Sequence, residues 1–296
     1  MQSPLPIDLW VQTACVLEAT ARKPGNVHRY RDFDDLTYVD FLLSAAAISP
    51  VLQQAPKQPI GLTIYQAIVA THRVCRTNTN LGIVLLLTPL AAASAVGSIR
   101  QAIHLVLNST TKEDARNVYA AIRLANPGGL GTCNEEDVHS EPTKTLLDVM
   151  KLAADRDMIA RQYANGFQDL FDKGVSYLRE AFSRKFSVEN AIVFCHLNWL
   201  SDFPDSLIAR KRGIAEARLA SEKAREILDA GWPESAKARS LAESFDRWLS
   251  QPGQQRNPGT TADLVAATLF VCLCEGLLRF PLAWDRERRA NTIGSG

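Results

Sequence analysis

The stretch "LTIYQAIVATHRVCRTNTNLGIVLLLTPLAAASAV" (62–96) decides how the chain is read. Its first part, up to Arg76, spaces apolar residues three and four apart, the mark of an amphipathic helix. "TNTN" (77–80) then breaks the pattern. The part from Leu81 is apolar on every side, yet it is shorter than a bilayer span and contains Pro89. A helix apolar all round, and too short for a membrane, belongs in a protein core. "TADLVAATLFVCLCEGLL" (261–278), which carries Asp263 and Glu275, reads the same way.

Outward from these two segments the same periodicity recurs and alternating strand patterns are scarce. A first helix is expected over Ile7–Arg22, stopped by Lys23-Pro24-Gly25. Asp34 or Asp35 can cap the next, "LTYVDFLLSAAA", and Thr110 or Thr111 begins "TKEDARNVYAAIRLA". After the Gly-rich acidic loop 126–141, residues 143–182, 187–203 and 205–231 read as helices, the last closing at Gly231. No internal repeat or long linker divides the chain. The expectation is all-α: a single compact multi-helix domain over residues 1–296 with buried apolar central helices.

At 296 residues, with 46% hydrophobic and 22% charged residues, the chain can bury a substantial core. A net charge of +1 gives no global field for nucleic acid or an anionic membrane, so neither is an expected partner. The six cysteines form no C-x-x-C pair and read as reduced, mostly buried thiols. "MQSPLPIDLW" lacks the regions of a signal peptide, and cytoplasmic location is expected. The sequence admits a homo-oligomer without specifying one.

Any anion recognition must then be local. "TARKPGNVHRYRDF" (20–33) gathers Lys23, His28, Arg29 and Arg31 in one break, either a helix stop with a solvated loop or a loop for an anionic ligand. "TNTNLG" (77–82) and "NPGTTADL" (257–264) place Asn78, Thr79 and Thr260 at helix starts, where they can cap or cradle phosphate oxygens. Asp263 in a first helical turn reads as dipole compensation or as a magnesium ligand, and Asp202 and Asp205 around Pro204 offer similar chemistry. Glu135, Glu136 and Asp137 read as a solvated surface or lid. His72 and His196 read as core histidines, and no zinc spacing, Walker motif, nucleophile elbow or dinucleotide fingerprint is present.

The ordered blocks "EATARKPGNVHRYRDF" (18–33), "TNTNLG" (77–82), "PDSLIARKRG" (204–213) and "NPGTTADLVAATLF" (257–270) resemble the triphosphoribosyl-dephospho-coenzyme A synthase family. That resemblance implies an all-helical enzyme in which a hydroxyl of dephospho-coenzyme A, or a related acceptor, attacks ribose C1′ of ATP and adenine leaves. It implies ATP as substrate with magnesium, and small-molecule nucleotides as partners. Carried onto this chain, it implies catalytic roles for Glu18, His28 and Asp205. It implies phosphate contacts from Lys23, Arg29, Arg31, Asn78, Thr79, Lys211, Arg212 and Thr260, and magnesium at Asp205 and Asp263. Asn80-Leu81 stands where the family has His-Lys, and His28 where it has an acid. The forms "KPGNVHRYRDF", "NTNLGIVLLLTPLA" and "AADRDMIARQYANGF" resemble a branch found in archaea and in bacteria that carry one-carbon units on tetrahydromethanopterin and methanofuran. Two alternatives follow: a different ATP-using step in one-carbon coenzyme assembly, or a non-catalytic nucleotide-binding scaffold.

Overall fold

The computed structural model describes residues 6–129, 131, 135–251, 253, 255–282 and 284; Cys133 and part of the Gly-rich loop lie outside them. Among these residues all regular structure is helical. The two apolar segments become α4 (Leu81–Ser94) and α14 (Gly259–Cys274). Every residue from Leu81 to Ala93 is buried, Pro89 included, and α14 is buried continuously from Leu264 to Leu273. With no polar face to give to water, these helices can lower their free energy only by being surrounded, at roughly 25 cal/mol per Å² of apolar surface covered.

The surrounding helices supply that cover. α1 (Ile7–Thr20), α2 (Tyr38–Leu52), α3 (Ile60–Val74), α5 (Ile99–Asn108) and α6 (Lys112–Ala125) all touch α4, and α1 lies against α14 as well. α7 (Leu146–Ala153) joins α6 to α8 (Met158–Ala164), which meets both central helices. α9 (Val175–Ser183) and α10 (Val188–Asp202) close the other side of α14. α11 (Ser206–Arg212), α12 (Ile214–Asp229) and α13 (Ala236–Leu249) enclose a second apolar cluster against the outer face of α10, built on Leu197, Leu200, Ala220, Ile227 and Phe245. No single helix among the described residues is long and apolar enough to cross a membrane.

Local chemistry sets most of the ends, and in three places it differs from the expectation. α2 is capped by Thr37, not Asp34 or Asp35: the Thr37 hydroxyl accepts the Asp40 N–H while Asp40 accepts the Thr37 N–H at 2.8 Å, a closed capping box. Residues 143–182 do not form one helix. Asp157 caps α8 anew, and Gly166 and Phe167 both take left-handed backbone before a π turn at Leu170–Gly174. Residues 205–231 break at Gly213, whose φ of +91° ends α11 and lets α12 start in a new direction. α6 begins at Thr111, with Asp114 completing its capping box. The five described cysteines are free thiols, four of them buried.

α3 and α6 approach most closely at Gly61, whose N–H donates to Asp114 Oδ1 at 2.8 Å. A Cβ on Gly61 would lie 2.4 Å from the Asp114 Cα, against backbone that cannot swing away. Gly61→Ala is therefore expected to cost about 1–3 kcal/mol, seen as a lower urea midpoint with an unchanged slope.

Candidate active site

The Lys-Pro-Gly turn does its helix-stopping work with its lysine folded inward. Lys23 is completely buried, and its Nζ donates to Glu18 Oε1 at 2.8 Å and to the Glu18 backbone carbonyl. Gly25 then turns with φ +81°, pressed so tightly on α13 that a Cβ would sit 2.7 Å from Leu249 Cδ1. Its N–H donates to Asp246 Oδ1 at 2.7 Å.

The cations that follow are also spent within the fold. Arg31 makes a two-pronged pair with Asp246, at 2.6 and 2.8 Å, and donates to the Asn26 carbonyl at 2.8 Å. Arg29 donates to Glu189 Oε2 at 2.9 Å and stacks over Tyr30. His28 accepts the Tyr30 N–H on Nδ1 at 3.2 Å, and burial, reinforced by the Arg31 charge, pushes its pKa down to about 4. Lys23, Arg29 and Arg31, expected to face an anionic substrate, instead strap this loop to α1, α10 and α13, while His28 is bonded to Tyr30 and Arg31 within the loop. The physical reason is the presence of Glu18, Glu189 and Asp246 opposite them.

What the strapped loop leaves open is a cavity of about 1090 Å³ between α3, α4, α6, α7, α11 and α14. Glu18, Asn26, Asn78, Thr79, Lys211, Thr260 and Asp263 line it, whereas Asp205 and Arg212 do not. Arg212 lies outside, bonded to Gln255. Asn78 Oδ1 accepts the Leu81 N–H at 3.1 Å and so starts α4, and the Thr79 hydroxyl meets Ser44 Oγ at 2.5 Å. Ile68, Val118, Ile122 and Met150 form an apolar wall.

The acids divide by what their oxygens already hold. Asp205 is 1% exposed; its Oδ1 accepts the N–H groups of Leu207 and Ile208 at 2.8 and 3.0 Å. Its Oδ2 accepts the Thr261 N–H and hydroxyl, both at 2.8 Å. With its lone pairs committed and its side chain off the cavity wall, Asp205 fits neither of its expected roles, catalyst or magnesium ligand. Asp263 is the contrast. It opens to the cavity, and none of the described residues hydrogen-bonds to its carboxylate. Its Oδ2 rests where a side chain on Gly82 would begin, 2.0 Å from an ideal Cβ. Burial, and then the charges of Glu18, Asp205 and Asp157, hold its proton affinity well above the usual carboxylate range.

The cavity wall also carries further acids, Asp35, Glu135, Glu136 and Asp137, and cations that the motif reading passed over. Arg76, Arg156 and Arg210 line the exposed part of the cavity together with Lys211, and Arg210 is anchored to Asp157 at 2.7 Å. Arg210 shares the "ARKRG" run with Lys211, so its neighbour was the available signal; nothing local marks Arg76 or Arg156. His72 also lines the cavity and is exposed, not a core residue. His196 is fully buried, its pKa pushed down to about 3 by burial and the nearby Lys23 charge.

Two outcomes follow. Removing the buried ammonium with Lys23→Met leaves Glu18 uncompensated, so a loss of about 3–5 kcal/mol is expected, against less than about 0.5 for exposed Lys211→Ala; denaturant titration checks both. A carboxyl that prefers its proton in the folded state costs stability once pH exceeds its unfolded value of about 3.9. Asp263→Asn is therefore expected to raise the melting temperature at pH 7.5, with a gain that shrinks as pH falls toward 4. A gain independent of pH would contradict this electrostatic account.

The geometry can now be set beside known proteins. A model of the ATP:dephospho-CoA triphosphoribosyl transferase family matches residues 6–281. The crystal structure of an Archaeoglobus fulgidus protein assigned as a triphosphoribosyl-dephospho-coA synthase is 29% identical, with a TM-score of 0.63. The likeness covers 79% of this chain and 99% of that one. No curated protein matches. Because the family match runs through every element that builds the cavity, from α1 to the end of α14, this chain belongs to the ATP:dephospho-CoA triphosphoribosyl transferase family.

Proposed function

We propose that the cavity transfers the triphosphoribosyl group of ATP to an acceptor alcohol of the dephospho-coenzyme A type, releasing adenine, in the making of a prosthetic group. The observation that carries this reading is one cavity whose wall holds Glu18 and Asp263 together with the exposed cations Arg76, Arg156, Arg210 and Lys211, its other acids being Asp35, Glu135, Glu136, Asp137 and Asp157. A triphosphate is matched by these four cations, and the ribose attached to it then extends toward Glu18 and Asp263. Asn78, Thr79 and Thr260 border the path between.

In the reaction the acceptor oxygen bonds to C1′ as the C1′–N9 bond breaks, and the electron pair of that bond leaves with adenine, which takes up a proton. Asp263 accepts the hydroxyl proton of the acceptor; burial and the neighbouring acids raise its proton affinity above that of an ordinary aspartate. Glu18, fixed by Lys23, faces the positive charge that develops on the ribose. The apolar wall of Ile68, Val118, Ile122 and Met150 suits the less polar arm of an acceptor.

Asp205 and Asp263 do not form a two-carboxylate magnesium seat, because the Asp205 oxygens are filled. No group of three or more ligating side chains occurs among the described residues. Magnesium travelling with ATP would be held by phosphate oxygens, as is usual for that ion.

The test is incubation of the full chain with ATP, magnesium and dephospho-coenzyme A, with free adenine followed by chromatography. One adenine per triphosphoribosylated acceptor is expected. Asp263→Asn should lower kcat about 10²- to 10⁴-fold while ATP affinity changes less than tenfold. ATP binding without adenine release, whichever alcohol is offered, would overturn the assignment.

A further inference from the structure

A carboxamide on the wall of the cavity has a buried oxygen that no described residue satisfies. Asn26 is 6% exposed and lines the wall, and its carboxamide oxygen is buried without a hydrogen-bond partner. The rest of the residue is satisfied. Its N–H donates to the Lys23 carbonyl at 3.3 Å, its own carbonyl accepts from Arg31 at 2.8 Å, and its Nδ2 donates to Asn257 Oδ1 at 2.7 Å. A loop that needed Asn26 only as a strap would already have what it needs from the Nδ2 bond. A buried acceptor with no donor is destabilising, and an N–H on a ligand would remove that cost.

Asn257 stands beside it on the same wall and gives up only its oxygen to the pair. Its amide nitrogen keeps its two hydrogens for other partners. The two side chains, 231 positions apart in sequence, therefore offer an acceptor next to a donor. The flanking backbone holds both in place. Gly25 is pressed on Leu249 and Pro258, and the Asn257 carbonyl accepts the Gly259 N–H at 2.9 Å.

We infer that Asn26 and Asn257 form the nucleobase subsite of this cavity, reading the edge of a 6-aminopurine. The 6-amino group donates to Asn26 Oδ1 while ring N7 accepts from Asn257 Nδ2. An oxopurine such as inosine or guanine presents an acceptor at the same place, leaves the Asn26 oxygen unpaired and sets two oxygens against each other. This inference rests on the reading of the cavity as an ATP site and adds the group by which it tells one purine from another. It also gives the turn after the first helix a direct task, since the residue that touches the base is the one following Pro24-Gly25.

The experiment is calorimetric titration of the full chain with ATP, ITP and inorganic tripolyphosphate at fixed magnesium and salt, with melting curves on every variant. The parent chain should bind ATP at least about tenfold more tightly than ITP. Asn26→Leu, close in volume, should bring the two within threefold and leave tripolyphosphate binding unchanged. Asn257→Ala, which keeps the Asn26 oxygen, should weaken ATP but lose nothing further against 7-deaza-ATP; it carries the test if Asn26→Leu fails to fold. ATP binding with an ITP ratio near one in the parent, or a parental ratio in both variants, would sink the base subsite and leave the ATP reading standing. Failure of both ATP and tripolyphosphate to bind would remove the reading on which it rests.

Discussion

Asp205 accepts four hydrogen bonds from two helices that begin more than fifty residues apart in sequence, and the site is laid out around that sharing. One oxygen fixes the first turn of α11, the other the first turn of α14. Helix starts are normally capped by separate side chains. Here one carboxylate serves both, so their relative position cannot drift without breaking a bond. Ser206 extends the junction, donating to the Thr260 hydroxyl at 3.1 Å and receiving the Met158 N–H at 3.3 Å, which draws in α8. Arg210 and Lys211 project from α11, Asp263 from α14, and Asp157 from the start of α8. Their meeting in one cavity is a consequence of where three helices are made to begin.

A second buried charge organises the opposite wall. Lys23 and Glu18 are both out of contact with water, a costly arrangement unless each finds the other. The pairing fixes the chain at the end of α1, turns Pro24-Gly25 onto α13 and delivers Asn26 to the cavity. Arg31 repeats the device further along by joining Asp246 on α13. Binding energy that an exposed basic loop would offer a ligand is used here to hold the wall against which a ligand rests.

Much of this was legible in the sequence and some of it could not be. The apolar girth of 81–93 and 264–273 fixes the helical class and the two central helices, because no other placement hides such surfaces. The start of α6 at Thr111, one of two candidate caps, and the end of α1 at Thr20, two residues before the expected Arg22, are local events that the sequence places closely. The charged loop misled for a physical reason: an arginine looks the same on paper whether or not an acid awaits it. Glu189 and Asp246 stand 160 and 215 positions away from Arg29 and Arg31. Asp205 misled in the same way, since a cap and a metal ligand use identical atoms. Asp263 could be singled out by its place in an apolar helix. Its seat against Gly82, which sets its environment, belongs to the packing of α4 on α14 and to no local motif.

That seat bears on how the molecule can move. α4 offers no residue to solvent between Leu81 and Ala93, so its amides can exchange with water only when the whole core opens. The wall at Gly82 is thus backed by the deepest-buried helix, with half-buried Asp263 set against it. Traffic in and out of the cavity has to be accommodated elsewhere, along the boundary of α7 and α11, where Leu152, Arg156, Arg210 and Lys211 are already exposed. Cover is deepest on the side of Gly82 and thinnest on the side of the cations. A ligand would enter past groups that can yield and come to rest against groups that cannot.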